Sequence, residues 1–311
     1  MQNNSKKIYA NPVFVTLCAL FCCALWGSAT PFIKLGYEMI LPVRNTSSTI
    51  LFAGVRFLFA GILTVLIYSI GRKRFLRPKA SNWGRICMVA SFQTVIQYIF
   101  FYVGLANTTG VKGTIISGSS AFFAIFVSSL IFHMEKLTVK KVVACLIGFA
   151  GIVAVNLKGL DFNMNFFGDA FVLFSAVSLA VSSTLMKIYS NHEDPVIISG
   201  YQFMIGGLFM IVVGFIAGGA IVIDSVAALA VLAYLSMLSA VAYALWGILL
   251  KYNPVSKVTI FSFMTPVCGV ILSKIMLAES SDVSILNIMV ALVLVCIGIF
   301  MLNYNKKASN K

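Results

Sequence analysis

One arginine stands in the middle of an apolar run. In Leu51–Gly61, which reads LFAGVRFLFAG, Arg56 is the sole ionisable side chain. Its guanidinium is always charged, and its planar fork of donors matches a carboxylate. The stretch Ile197–Gly207, IISGYQFMIGG, repeats the pattern with neutral Gln202 in the arginine's place. Other polar side chains recur at helical spacing in equally apolar surroundings. Ser91, Thr94, Tyr98 and Phe101 follow the i, i+3, i+7, i+10 rule, which places them on one helix face, and Gln93 and Gln97 form the adjoining stripe. Ser236, Ser239, Tyr243 and Trp246 present similar types in the same order. Two facing stripes of hydroxyls, amides and rings suit a small amphipathic ligand, with flat surfaces for its apolar part and donors for its polar part. The competing reading is hydrogen bonding between helices, worth about 0.6 kcal/mol per bond. We prefer that reading for the serines and Thr94, and the ligand cavity for Gln97, Tyr98, Tyr243 and Trp246, with Gln93 a further candidate.

Two prolines add backbone chemistry. Pro31 and Pro266 lack an N–H, so the carbonyls of Gly27 and Ser262 lose their helical partner. Freed carbonyls at membrane depth are tolerated where they face protein or a water-filled cavity. Ser262 and Thr265 are therefore candidate ligand contacts, and both prolines are candidate hinges. Gly113, Ser117, Ala121, Ala124 and Ser128 form a small-residue seam suited to close helix approach. Ser117 and Ser120 are the candidates there to reach a cavity, with packing the preferred reading.

The elements that hold these residues follow from composition. The chain has 311 residues, 60% hydrophobic and 10% charged, with a mean hydropathy of +0.99. A soluble domain carries about a quarter charged residues, so the solvent here is lipid. A helix needs about 20 apolar residues to cross a bilayer. Ten runs meet that need, near 13–37, 48–71, 86–106, 111–132, 140–158, 166–189, 196–218, 225–250, 257–277 and 284–304. The expected class is an all-α integral membrane protein without a soluble domain. The first run is too long for a signal peptide and nine similar runs follow it, so it reads as a span.

The net charge of +14 does not indicate nucleic acid, because it is distributed by side. With both termini in the cytoplasm, the inner loops hold Arg72, Lys73, Arg74, Arg77, Lys79, Arg85, Lys136, Lys140, Lys141, Lys187, Lys251 and Lys257, and the termini add Lys6, Lys7, Lys306, Lys307 and Lys311. The outer side keeps Lys34, Arg44, Lys112 and Lys158. That asymmetry obeys the positive-inside rule. The run RKRFLRPK at 72–79 is then a topology determinant resting on anionic lipid. The seven cysteines lie within spans with no CxxC pair, and His133 and His192 fall in loops. No metal site and no cofactor are expected.

The spans repeat. Gly54, Arg56, Phe57 and Gly61 map onto Gly200, Gln202, Phe203 and Gly207 at a nearly constant offset that also relates the third span to the eighth, Glu135 to Glu279 and Asn156 to Asn303. Five helices is an odd number, so the second copy enters the membrane from the opposite side. The expected domains are residues 1–160 and 161–311, each a five-helix repeat, inverted relative to each other. Such halves rock about a midplane site, which is the logic of secondary transport.

The segments ALWGSATPFIKLG in the first span, the glycine–arginine–phenylalanine run of the second, and the glutamates closing the fourth and ninth resemble the EamA family of the drug/metabolite transporter superfamily. The resemblance implies ten helices, cytoplasmic termini, and transport of amino acids or other small metabolites through a cavity lined by the third, fourth, eighth and ninth spans. It also implies a bacterial inner membrane. One departure from symmetry is that Phe122 stands where the ninth span has Pro266, so the two halves are expected to bend differently.

Arg56 lies about 10 Å from the outer end of its span, beyond the reach of snorkelling without strain. Exposure to lipid at the centre would cost about 2.5 kcal/mol or more. All nine acids, Glu38, Glu135, Asp161, Asp169, Glu193, Asp194, Asp224, Glu279 and Asp282, sit at span ends or in loops. Three readings of Arg56 stand: a structural arginine on helix-end carbonyls, a partner for a substrate carboxylate, or a snorkelling side chain. Small multidrug exporters of the superfamily use a glutamate in the first helix, and this first span has none. The expected substrate is an amino acid or related zwitterion or anion, carried by a monomeric exporter. The alternative is a multidrug or quaternary-amine carrier with an aromatic cage. A pump would need a phosphate-binding loop, and an embedded enzyme would need clustered carboxylates or a His–Asp pair. Neither is present, which leaves a scaffold as the remaining non-transport reading.

Overall fold

The computed structural model describes residues 7–157, 165–276 and 285–304. Its helices follow from apolar runs bounded by capping residues. The first, α1, spans Pro12–Ile40, with the Asn11 side chain accepting from the Val13 and Phe14 amides and a proline at its first position. Asn45 caps α2 (Thr46–Gly71) and Thr109 caps the start of α4. The third element, α3, covers Ala80–Ala106 and contains a π-helical turn at Ser91–Ile96. The fourth, α4, covers Gly110–Ile131, with an interruption at Ser119. Thr138 caps α5 (Val139–Val155), Asn165 caps α6 (Phe166–Tyr189), Asp194 caps α7 (Pro195–Ile216) and Ser225 caps α8 (Val226–Tyr252). The ninth, α9, is built of Val255–Thr259, a 3₁₀ turn at Ile260–Phe263, and Met264–Met276. Finally α10 is Ile285–Asn303.

Among the described residues nine of these helices are long and apolar enough to cross a membrane. The exception is α5, at 17 residues, or about 25 Å. It packs along α10. Observed ends differ from the expected ones by a few residues: α1 runs on to Ile40, and α3 begins before Ile86 because 3₁₀ turns and caps extend helices past their apolar stripe. The fifth helix stops at Val155, and Lys158 lies outside the described residues, as do Asp161, Glu279, Asp282 and the boundary between residues 160 and 161.

The packing is two-fold symmetric. Helix α1 packs on α8 and α9, as α6 packs on α3 and α4, while α2 pairs with α7 and α5 with α10. Exchanging each helix for the one five places on leaves this list unchanged. The pairs also run antiparallel. A Cβ at Gly54 would meet Gly207 O at 2.9 Å and Ile211 N at 2.7 Å, and one at Gly61 would meet Gly200 O at 2.5 Å and Met204 N at 2.7 Å. Since Gly54 corresponds to Gly200 and Gly61 to Gly207, each contact is the other's image. The α5–α10 pair repeats the relation, with Gly151 against Ala291 and Gly298 against Ala144. Antiparallel packing of equivalent helices is what an axis perpendicular to them produces. On that axis residues meet their own counterparts: the Phe57 and Phe203 rings stack 5.1 Å apart at 6°, and the Tyr98 and Tyr243 hydroxyls are hydrogen-bonded at 2.9 Å.

Both α4 and α9 are interrupted, α4 at the Gly118–Ser119 step and α9 at the 3₁₀ turn Ile260–Phe263 that precedes Pro266. Their irregularities are not identical, since α4 also has a π turn at Val127–Ile131 where the equivalent part of α9 is α-helical. One expectation needs correction: Ser91 does not share a face with Thr94 and Tyr98. It is exposed and donates back to Cys87 O at 2.9 Å, because the π turn rotates it away from the line that 3.6-residue spacing predicts.

Candidate functional site

The centre of the bundle is an aromatic cluster around the axis. Phe57 lies 4.5 Å from Tyr98, and Phe203 lies 4.9 Å from Tyr243. Trp26, midway along α1, packs on Tyr243 at 5.1 Å and on Trp246 at 4.9 Å. Tyr98 continues to Tyr102 at 5.9 Å. Arg56 sits against this cluster, 4% exposed, with its guanidinium carbon 4.4 Å from the Phe57 ring centroid. Tyr37, Tyr102 and Tyr243 lie within its electrostatic reach.

Arg56 is buried and therefore does not snorkel. Its Nε is buried with no hydrogen-bond partner, and no carbonyl or carboxylate among the described residues bonds the guanidinium. The cation–π contact offsets about 0.5–2 kcal/mol of the burial cost. Its counterpart Gln202 is satisfied differently, accepting from Thr94 Oγ1 at 2.7 Å, with Nε2 unpartnered. Thr94 corresponds to Ser239, whose hydroxyl instead bonds Leu235 O at 3.0 Å in its own helix. The scaffold is symmetric here and its polar chemistry is not.

The other candidates divide by whether their polar atoms are satisfied. Gln93 and Gln97 are 6% and 8% exposed, and each has a buried, unpartnered Oε1. Ser117 Oγ and Thr265 Oγ1 are likewise buried without partners. Ser262, in the 3₁₀ turn of α9, donates to Thr259 O at 2.7 Å. Tyr243 and Trp246 are 7% and 6% exposed within the cluster. Pro31 lies within an unbroken α1, and the adjacent Gly27 faces α9, where a Cβ would stand 2.8 Å from Gly269 N. The freed Gly27 carbonyl thus faces protein rather than lipid. Ser236, assigned to packing, bonds within its own helix, as does Ser182, while Ser178 bridges helices by donating to Phe92 O at 2.6 Å.

A family model for EamA-like transporters matches this chain twice, over residues 13–157 and 166–304. The chain belongs to the EamA-like transporter family. A Bacillus subtilis protein named uncharacterized transporter YvbV is 26% identical over 93% of this chain and 91% of its own. An uncharacterized transporter of Archaeoglobus fulgidus is 26% identical over 83% of this chain and 87% of its own. A WAT1-related chloroplastic protein of Arabidopsis thaliana is 24% identical, covering 90% of this chain and 67% of that one. A crystal structure of a protein at 17% identity superposes with a TM-score of 0.73 over 92% of this chain and 97% of its own, a likeness of fold alone. The EamA assignment makes this a multi-pass small-molecule transporter of the drug/metabolite superfamily, built from two copies of one unit.

Two features of this EamA protein escaped the sequence reading. Trp26 has a buried Nε1 without a partner. The available signal was an indole N–H at the middle of an apolar helix, where it needs an acceptor. The second is Glu135, which sequence treats as the closing residue of α4. Its carboxylate takes a hydrogen bond from Lys141 Nζ at 2.7 Å and from the Ser256 amide at 3.1 Å, and also accepts from the Ser256 hydroxyl. Burial pushes its pKa up, but the Lys141 and Ser256 hydrogen bonds outweigh that and hold the carboxyl below its ordinary value. Glu135 therefore ties the α4–α5 loop of one repeat to the first turn of α9 in the other, at the end of the bundle that carries the basic loops.

Proposed function

We propose that this EamA protein moves an amino acid or related carboxylate-bearing metabolite by alternating access, with the substrate carboxylate held by Arg56. The observation that carries the reading is a buried guanidinium packed on the central aromatic cluster, its Nε unpartnered and no carboxylate among the described residues bonded to it. An ion so placed is stabilised when an anion arrives, and a zwitterion or anion delivers one. The acceptors Gln93 Oε1 and Gln97 Oε1, both unpartnered, suit an ammonium group, while Trp26, Tyr98, Tyr243 and Trp246 suit an apolar side chain. Ser117, Ser262 and Thr265 flank the breaks in α4 and α9, where Pro266 and Pro31 on the packed α9 and α1 would act as hinges. Residues 1–160 and 161–311 would be the two rocking halves. Positive loop charge favours cytoplasmic termini in a bacterial inner membrane, and export is the expected direction. Among the described residues no cluster of three or more His, Cys, Asp or Glu side chains occurs, which favours transport over catalysis.

The test is counterflow in proteoliposomes with labelled amino acids, comparing the native chain with Arg56→Gln, the residue its own second repeat carries. The expected result is exchange by the native protein and a loss of about tenfold or more in the variant, the scale of one charge-assisted contact. Equal exchange by both refutes the role of Arg56. Uptake of a quaternary amine in preference to every amino acid would instead support the aromatic cage.

A further inference from the structure

A cavity of about 320 Å³ opens at the basic end where α5, α9 and α10 meet. Thr138, Lys140, Lys141 and Lys257 line it around Glu135. Three ammonium groups face one carboxylate, and that carboxylate is already engaged by Lys141 and Ser256. Lys140 uses one of its three N–H bonds on Tyr304 O at 2.6 Å. The cavity therefore has a net positive charge and spare donors. Directly beside it a second cavity of about 550 Å³ is lined by Cys296, Ile297, Phe300, Met301 and Tyr304 and shares Lys140 with the first. This groove runs along the outward face of α10, where Phe300 is 65% and Ile297 46% exposed.

A cationic chamber joined through one lysine to an apolar groove on a membrane-facing helix is complementary to an amphiphile with an anionic head. We infer that this seam binds one anionic phospholipid of the leaflet at the basic end. Its phosphate sits among Lys140, Lys141 and Lys257, and one acyl chain lies along Ile297, Phe300 and Met301. The site adjoins the Glu135 tie between the two repeats, and it does not depend on what the protein transports.

The experiment counts bound lipid by native mass spectrometry on purified protein titrated with phosphatidylglycerol, phosphatidylcholine or inorganic phosphate. The expected result is retention of one phosphatidylglycerol in preference to phosphatidylcholine. The Lys140→Gln/Lys257→Gln variant should weaken that retention by roughly thirtyfold, the effect of two basic contacts. An Arg44→Gln control, in the exposed α1–α2 connection at the opposite end of the bundle, should keep it. Alkylation of the native protein is a second measurement that needs no variant. Cys296 and Cys87 are both exposed, and phosphatidylglycerol should slow alkylation at Cys296 in the groove while leaving Cys87 unchanged. Equal retention of both lipids, equal loss in the control variant, or unprotected Cys296 overturns the inference. Full competition by inorganic phosphate would overturn the lipid as the source of the phosphate.

Discussion

Replacing Glu135 with glutamine keeps the shape of the side chain and removes its charge. The carboxylate lies 2.7 Å from Lys141 Nζ, with side chains 9% and 17% exposed, so the pair is shielded from screening by solvent. Removing one partner of a fully buried pair costs about 3–5 kcal/mol. Here the loss is smaller, because Lys141 keeps a bond to Lys136 O at 2.9 Å and a glutamine oxygen can still accept from Ser256. About 2 kcal/mol remains, the difference between charged and neutral hydrogen bonds at two donors. For a chain of 311 residues that corresponds to about 3 °C in Tm. The sign with pH is fixed by the shift. A carboxyl whose folded pKa is depressed contributes stability that is complete above its unfolded value, about 4.3, and is lost as pH falls through the folded value. Thermal unfolding in detergent should therefore separate native protein from Glu135→Gln at pH 7 and bring the two together in acid. Equal Tm at pH 7, or a gap that stays constant into acid, refutes the reasoning.

Other outcomes follow from packing. Gly61→Ala places a methyl 2.5 Å from Gly200 O and 2.7 Å from Met204 N, both backbone atoms, so α2 and α7 must separate. A loss of about 1–3 kcal/mol is expected, whereas Gly84→Ala, with nothing within 4 Å, should be neutral or stabilising in the same unfolding assay. Tyr98→Phe and Tyr243→Phe should each cost about 1 kcal/mol, and the double variant little more than either, because one hydrogen bond of 2.9 Å joins the two hydroxyls. Additive losses in that cycle would show that the bond is not made.

Much of the fold is legible in the chain because lipid forces the backbone to satisfy itself, leaving few choices but helices. The run lengths locate the helices, the offset between Gly54–Gly61 and Gly200–Gly207 carries the duplication, and the odd number of helices in each copy carries the inversion. What sequence does not resolve is local register. The π turn at Ser91–Ile96 moves Ser91 out of the stripe that its spacing implies. The break at Ser119 has no proline to announce it, and the close approach of Ile152 to Gly118 beside it is a tertiary contact that local sequence does not encode. At the site, Arg56 is conspicuous because its charge has no company. Trp26 is not, because an indole N–H looks apolar until its surroundings show that nothing accepts from it. Glu135 reads as a loop acid because its partner Ser256 lies on the other repeat, a pairing that no local pattern encodes.

The distribution of symmetry is itself informative. Contacts that hold the halves together are duplicated: the glycine seam of α2 and α7, the Gly151 and Gly298 contacts of α5 and α10, and the ring and hydroxyl pairs on the axis. Contacts that would meet a ligand are not. Arg56 has the neutral Gln202 as its counterpart, Thr94 bonds across helices where Ser239 bonds within one, and the hydroxyl of Ser117 corresponds to the apolar Phe261. A carrier that alternates between two inverted arrangements requires near-equal energies for both, and duplicated scaffold contacts supply that. A ligand with different ends requires the reverse, because one molecule lying on a two-fold axis cannot satisfy two identical charged groups at once. On the proposed reading, a single arginine beside the axis, with a neutral amide as its counterpart, would meet both requirements: it would fix the orientation of an unsymmetrical substrate while leaving the duplicated packing untouched.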